Sequence, residues 1–446
     1  MLFRRILPAS LVVVFGSSAG AGGIYWSDRQ SGSRGIRTCA LDGSNPVPVA
    51  GLQSRSDPRG VVADVAGRKL YFNDGTVIVS AAFDFSTKTA GAVSTVGTGA
   101  GLRDLCLDQR NRYLYFADET AGRIGRVALP GAVADGADGS FPKNLSGAYY
   151  LTVAETAGGW PTGSGAWKLF TDNNNASFYT ANGPAGGMAM TPLTVPVLNP
   201  ALNNVRGVQI DPVTGWFYWC EKDTFRIRRA KFDGASGLSQ VQDVYTGLCA
   251  AHGLWLDQPR GKLYWVDSGT NAAGIGKGGV NRGNTDGSGT VEELVKSGDS
   301  LQPWDLDVDV SVASYTEWQQ LYFRKDAAAA DKTVTANPDG DGFTNGQEFL
   351  LGMNPLRPDS PPTAAGIWTD PETGTKYPAI TFLRRPLVAS AVSIPSVSTN
   401  LTDWSATMRE VAAVPADEGM ERVTFRSPDS LAAAARQFMR VSAASP

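Results

Sequence analysis

The sequence predicts an all-β protein: a six-bladed β-propeller, then a short helical segment carrying an oxygen-rich loop, then a small antiparallel β-sandwich. Three observations carry that expectation. One aromatic-and-acid motif recurs with a period of about 44 residues, inside the propeller range. The 51 glycines, 26 prolines, 11 tryptophans and 13 tyrosines favour many short strands joined by tight turns. The 446 residues are 42% hydrophobic and 19% charged, enough ordinary globular chain for two or three cores.

The chain opens on MLFRRILPASLVVVFGSSAGA. Arg4 and Arg5, an apolar run around Leu11 to Phe15 and then Ala19-Gly20-Ala21 give the order of a secretory signal over residues 1–21, cleaved near Gly22. The run is shorter than the ~20 residues a spanning helix requires, and no later stretch is long enough to cross a bilayer. A net charge of -3, from 40 basic and 43 acidic residues, lacks the basic excess of a nucleic-acid binder. Four cysteines are too few for a disulfide framework. Cys39 and Cys106 fall in strand patterns and read as buried small residues; Cys220 and Cys249 could pair in an oxidising compartment.

The repeat is IYWSD from Ile24, LYFND from Leu70, LYFAD from Leu114, FYWCEKD from Phe217 and LYWVD from Leu263, with WKLFTD from Trp167 as a degenerate copy. Every copy but the first follows a strand pattern ending in an acid: Asp64, Asp108, Glu155, Asp211 and Asp257. A sixth such strand, WDLDVD to Asp309, has no aromatic copy after it. The two orphan halves complement one another, so the chain ends of residues 22–311 are expected to close one blade together. A third pattern, in GIRTCALDG, RIRRAKFDG and GVNRGNTDG, ends in Asp-Gly and supplies a tight reversal between antiparallel strands.

IYWSD, LYWVD, RGVQID and RIRRAKFDG, in register over about residues 22–310, resemble the class B (YWTD) repeats of the low-density-lipoprotein receptor. The resemblance implies a six-bladed propeller whose last blade takes strands from both ends, with Asp28, Asp74, Asp118 and Asp267 in structural roles. Long glycine-rich insertions around 131–147 and 156–166 depart from the pattern.

Propellers bind where the loops leading into their innermost strands converge. Counting five residues back from each strand-ending acid gives Arg59, Arg103, Tyr150, Arg206, His252 and Trp304, an expected ring around one channel mouth. Guanidiniums and aromatics together suit an acidic or planar ligand; equally, arginines there can brace neighbouring loops. His252 is the single histidine, which rules out any site built on several. Asp104 and Asp305 lie one residue further along and could point inward.

Residues 337–348, NPDGDGFTNGQE, fit the twelve-residue calcium-loop template, with ligands expected from Asn337, Asp339, Asp341, the Phe343 carbonyl, Asn345 and Glu348, and Gly342 at the turn. The loop resembles those of dockerin-like and thrombospondin-type-3 segments. Asn337 in place of an aspartate weakens the expected Ca²⁺ affinity. Residues 312–356 thus read as a helix plus this loop, 357–364 as a stiff linker, and 365–446 as the β-sandwich, with PAITFLRR, VSIPSVST, ERVTFRS and QFMRVSA as its strands. That last module resembles C-terminal modules of secreted bacterial proteins. The functional expectation is a monomeric, non-enzymatic binding or adhesion protein, exported to the periplasm, the cell surface or the medium, that recognises an extracellular protein or acidic glycan through one propeller face. A propeller hydrolase or lactonase with a metal in the channel is the alternative, and a purely architectural cell-surface protein a third reading.

Overall fold

The computed structural model describes residues 22–129, 143–156, 167–174, 177–182, 190–198, 200–269, 279–296, 302–312, 314–360, 363–386, 393–416, 419–433 and 436–443. The expected signal at 1–21 lies outside them, as does most of both glycine-rich insertions. Six antiparallel blades surround one axis. Their innermost strands are Pro58–Asp64, Leu102–Asp108, Leu151–Glu155, Val205–Ile210, Ala251–Asp257 and Pro303–Asp309, and each packs on the next around a complete circle. The aromatic motif forms the second strand of every blade, its rings and aliphatic side chains alternating between the two faces and filling the layers between blades. Trp26, Trp219 and Trp265 are fully buried there.

Closure occurs as the orphan halves require. Gly23–Asp28 pairs antiparallel with Pro303–Asp309, placing Ile24 opposite Val308 and Trp26 opposite Leu306. Gly35–Cys39 and Val47–Gln53 complete that sixth blade, and a parallel bridge from Ala50 to Thr89 ties its outer edge to the first blade. No strand edge is therefore left open at the point where the circle begins and ends. All four cysteines are present as thiols.

The helical segment packs directly onto this sixth blade. Helix α1 (Tyr315–Tyr322) is capped by Ser314, and Trp318 and Leu321 enter one core with Ile24, Trp26, Val308 and Leu294. The C-terminal carbonyls that α1 leaves unpaired are met by buried Arg282, which donates to Gln320, Leu321 and Phe323 while paired with Glu292. Helix α2 (Asn345–Leu351) starts with a Thr344–Gln347 capping box and stops at Gly352, whose φ of 71° is left-handed. Beyond it, strands Ala364–Thr369, Lys376–Arg384, Glu421–Arg426 and Arg409–Pro415 form one sheet, and Ser393–Ser398 with Phe438–Ala443 a second. Ile380, Val397 and Met408 fill the space between the two sheets with Phe425 and Val441, which makes this module a small sandwich.

Around the axis, polar side chains and missing side chains do complementary work. Asp305 accepts the Val61 amide at 3.0 Å, Asp307 the Ala63 amide at 2.8 Å and Asp104 the Leu151 amide at 2.8 Å, so each carboxyl spans to a neighbouring blade. Gly60, Gly207 and Gly253 let backbones come together: a Cβ on Gly253 would lie 2.6 Å from the Asp305 Cα. The channel between these strands has a volume of about 310 Å³. Asp104 and Asp305 hydrogen-bond one another in it, and burial together with that like-charged neighbour holds the pair's titration above the usual carboxylate range. Burial likewise pushes Asp307 up to about 7.

Two outcomes are expected. Gly253→Ala overpacks an interblade contact and should cost about 1–3 kcal/mol, whereas Gly91→Ala, where a Cβ meets only an ordinary contact at 3.6 Å, should shift melting far less; equal shifts in the two variants would contradict the close-approach role. Because the folded channel keeps protons that the unfolded chain releases, stability should fall as pH rises from about 4, the ordinary carboxyl value, towards the value of about 7 that Asp307 reaches. Asp305→Asn removes one such group and should make that decline shallower by up to ~1.4 kcal/mol per pH unit in denaturant titrations.

Candidate ligand-binding mouth and cation cluster

The motif aspartates fix the loops that carry the mouth. Asp74 accepts the Ser56 and Asp57 amides, Asp118 those of Ala100 and Gly101, and Asp267 that of Cys249, each loop leading into an innermost strand. In five blades the innermost strand then bulges by one residue against its aromatic partner. The bulge re-aims the residue at its start, which is Arg59, Arg103, Arg206, His252 or Trp304.

These five side chains come together with two that the sequence reading missed. The Arg59 guanidinium lies 4.6 Å from the Trp304 ring centroid, and so does that of Arg29, which follows the first aromatic motif. His252 is 4.6 Å from the same ring. Arg206 and Arg103 lie over Tyr149, at 4.1 and 5.3 Å, and Tyr149 is 6.2 Å from Trp304.

Tyr150 is a correction: it is buried beneath the ring and lines the channel, its hydroxyl donating across the axis to the Trp304 carbonyl at 3.2 Å. The third blade lacks the bulge, and Tyr150 sits opposite Asp172. Counting back from Glu155 therefore lands one position off. The signal was present in the sequence: the other five candidates are followed by Gly60, Asp104, Gly207, Gly253 and Asp305, whereas Tyr150 is followed by Leu151. Arg29 gave no comparable signal, because it lies outside the strand that was counted.

Four guanidiniums share two carboxylates here. Asp57 pairs with Arg29 at 2.7 Å and Arg59 at 2.8 Å. Glu119 accepts from Arg103 and from Asn174, which in turn accepts from Arg206. Bracing and surplus positive charge thus coexist. Four buried nitrogens of the ring have no hydrogen-bond partner: Arg59 Nη1, Arg206 Nε, His252 Nδ1 and Trp304 Nε1. An unmet buried polar atom is costly, and all four belong to residues of this ring. Burial, then the charges of Arg206, Lys222, Arg29 and Arg59, hold the His252 pKa well below its usual value, so the ring is neutral at physiological pH.

The second constellation is at the loop before α2. Ligating oxygens of Asp339, Asp341 and Glu348 lie within 4.8 Å of one another, and no other group of three or more such acids, cysteines or histidines occurs among the described residues. Glu348 is fully buried on α2, and both its carboxylate oxygens lack a partner, as does Asp339 Oδ2. Burial, followed by Asp339, Asp341 and Asp359, pushes Glu348 up to about 8. Gly342 has φ 99°, the left-handed turn expected of it. Exposed Asn337 accepts the Gly340 amide at 2.8 Å. Asn345 donates to the Asp331 and Thr333 carbonyls, leaving its own Oδ1 buried and unpartnered, and the Phe343 side chain lies against the C-terminal core. Orphaned, clustered carboxylate oxygens fit a hard divalent cation.

No helix among the described residues is long and apolar enough to cross a membrane. No family model matches the chain. Among solved structures it is similar to a chain of a nidogen/laminin complex, with 13% identity over 65% of this chain and 98% of that one and a TM-score of 0.47. A protein from Bacteroides fragilis provisionally described as a 6-phosphogluconolactonase is similar at 12% identity, over 66% of this chain and 99% of its own, with a TM-score of 0.46. An auxiliary nutrient binding protein from Bacteroides ovatus is similar at 12%, over 58% and 64%, with a TM-score of 0.43. A propeller frame by itself names no activity.

Proposed function

We propose that this chain is an exported, non-enzymatic binding protein whose propeller mouth takes an acidic group of an extracellular protein or glycan. The observation that carries the reading is the set of four unpartnered nitrogens on Arg59, Arg206, His252 and Trp304, of which Arg59 Nη1, Arg206 Nε and Trp304 Nε1 are donors. A carboxylate offers several acceptor lone pairs and would complement both those donors and the surplus of guanidiniums. Export rests on the order of basic, apolar and small residues at 1–21. A calcium ion held by Asp339, Asp341 and Glu348, with Asn337, Asn345 and the Phe343 carbonyl as the remaining expected donors, completes the reading as a structural clip in the tail.

Polygalacturonate and poly-glutamate are suitable probes of the mouth. Arg59→Gln with Arg206→Gln should weaken either by about tenfold or more, since each charge-assisted hydrogen bond contributes about 1.5–3 kcal/mol, and should flatten the salt dependence. Melting should shift little, because Arg29 still neutralises Asp57. Unchanged binding together with a much earlier melt would make the arginines braces alone.

For the tail, 10 mM calcium should stabilise the wild type by about 1.4–2.7 kcal/mol if affinity lies at the ~10⁻⁴–10⁻³ M of extracellular modules. Glu348→Gln should abolish that gain, measured by calorimetry with and without chelator; a gain that survives the substitution would remove calcium from this loop.

A further inference from the structure

Asp359 was read from the sequence as part of a linker, eleven residues beyond the end of the twelve-residue loop. The fold returns it to the edge of the cluster, next to Asp341 and outside the group that Asp339, Asp341 and Glu348 form within 4.8 Å. Its backbone amide donates to Asp341 Oδ2 at 3.3 Å, and one of its own carboxylate oxygens, Oδ2, accepts the Asn354 amide at 3.1 Å. The other, Oδ1, is buried without a partner, the same condition as both oxygens of Glu348 and Oδ2 of Asp339.

We propose that Asp359 is a fourth carboxylate ligand of a calcium-like cation bound by Asp339, Asp341 and Glu348, so that the cation clasps the segment leading into the C-terminal sandwich. This rests on the cation reading above but adds a ligand and a consequence to it. Asp341 and Asp359 flank α2, which lies against the propeller through Phe349 and Leu350 and against the sandwich through Leu351. A cation joining the two acids closes the chain around that helix. Arg385 of the sandwich donates to the Phe349 and Val312 carbonyls, so the clasp and this arginine hold the same junction from two sides. Negative groups gathered in one place repel one another, and a divalent hard cation with oxygen ligands is the chemistry that relieves them. Asp359 also offsets the charge that Asn337 forgoes at the first loop position.

The test titrates calcium chloride into chelator-treated full-length chains: wild type, Glu348→Gln, Asp359→Asn and, as control, Asp370→Asn. Asp359→Asn keeps the shape and an acceptor for Asn354 while removing the charge, and its calcium-free melting temperature, expected equal to or above wild type, reports that it folds. Wild type and control should bind one ion alike, Glu348→Gln should lose binding, and Asp359→Asn should bind about five- to thirtyfold more weakly. Calcium should also slow amide hydrogen exchange across residues 353–360 in wild type, and much less in Asp359→Asn at the same occupancy. If Glu348→Gln abolishes binding while Asp359→Asn matches wild type in affinity and protection, the loop binds its ion without Asp359 and the clasp is wrong. If wild type binds no calcium at millimolar concentration, the cation reading and the clasp fall together.

Discussion

Six twisted sheets can surround one axis only if their innermost strands approach closely, and close approach leaves backbone amides facing an interior with little room for water. In this chain the difficulty is met by two residue types. Gly60, Gly207 and Gly253 remove the side chains that would hold neighbouring strands apart. Asp104, Asp305 and Asp307 reach across and accept the amides that the approach would strand. The arrangement sets three carboxyls in a narrow channel and raises their affinity for protons, so acid character at the axis is a consequence of assembly.

The mouth inherits its geometry from the same strands. Asp74, Asp118 and Asp267 each fasten the loop before an innermost strand, and the one-residue bulge that follows turns a side chain towards the axis. Five blades obey; the third, one residue short, sends Tyr150 across the channel beneath the ring and leaves Tyr149 above it. The mouth is consequently a floor of aromatic rings overlaid by guanidiniums, shallow and positively charged. Ion pairs with Asp57 and Glu119 keep those arginines in place without consuming all their donors.

Much of this was legible in the chain because repetition multiplies weak signals. One LYFAD is unremarkable, whereas six aromatic copies with alternating acid-ended strands define blades, and the two orphan halves define closure. The cluster of Asp339, Asp341 and Glu348 was legible because the sequence sets these acids at the fixed spacing of a twelve-residue template. What escaped depended on relations between segments distant in sequence. A missing bulge in one strand shifts a register that counting assumes uniform. Arg29 directly follows the sixth blade's second strand and meets Trp304 only after the circle closes. Asp359 comes back to Asp341 only because α2 and Gly352 turn the chain around.

The most direct test of the acceptor site is a crystal structure of the protein grown with galacturonate or glutamate. The expected result is a carboxylate seated at the mouth within hydrogen-bonding distance of Arg59 Nη1 and Arg206 Nε, with Trp304 Nε1 and His252 Nδ1 also engaged by the ligand or its bridging water. A ring occupied only by ordered water while the acid binds elsewhere on the propeller would contradict it.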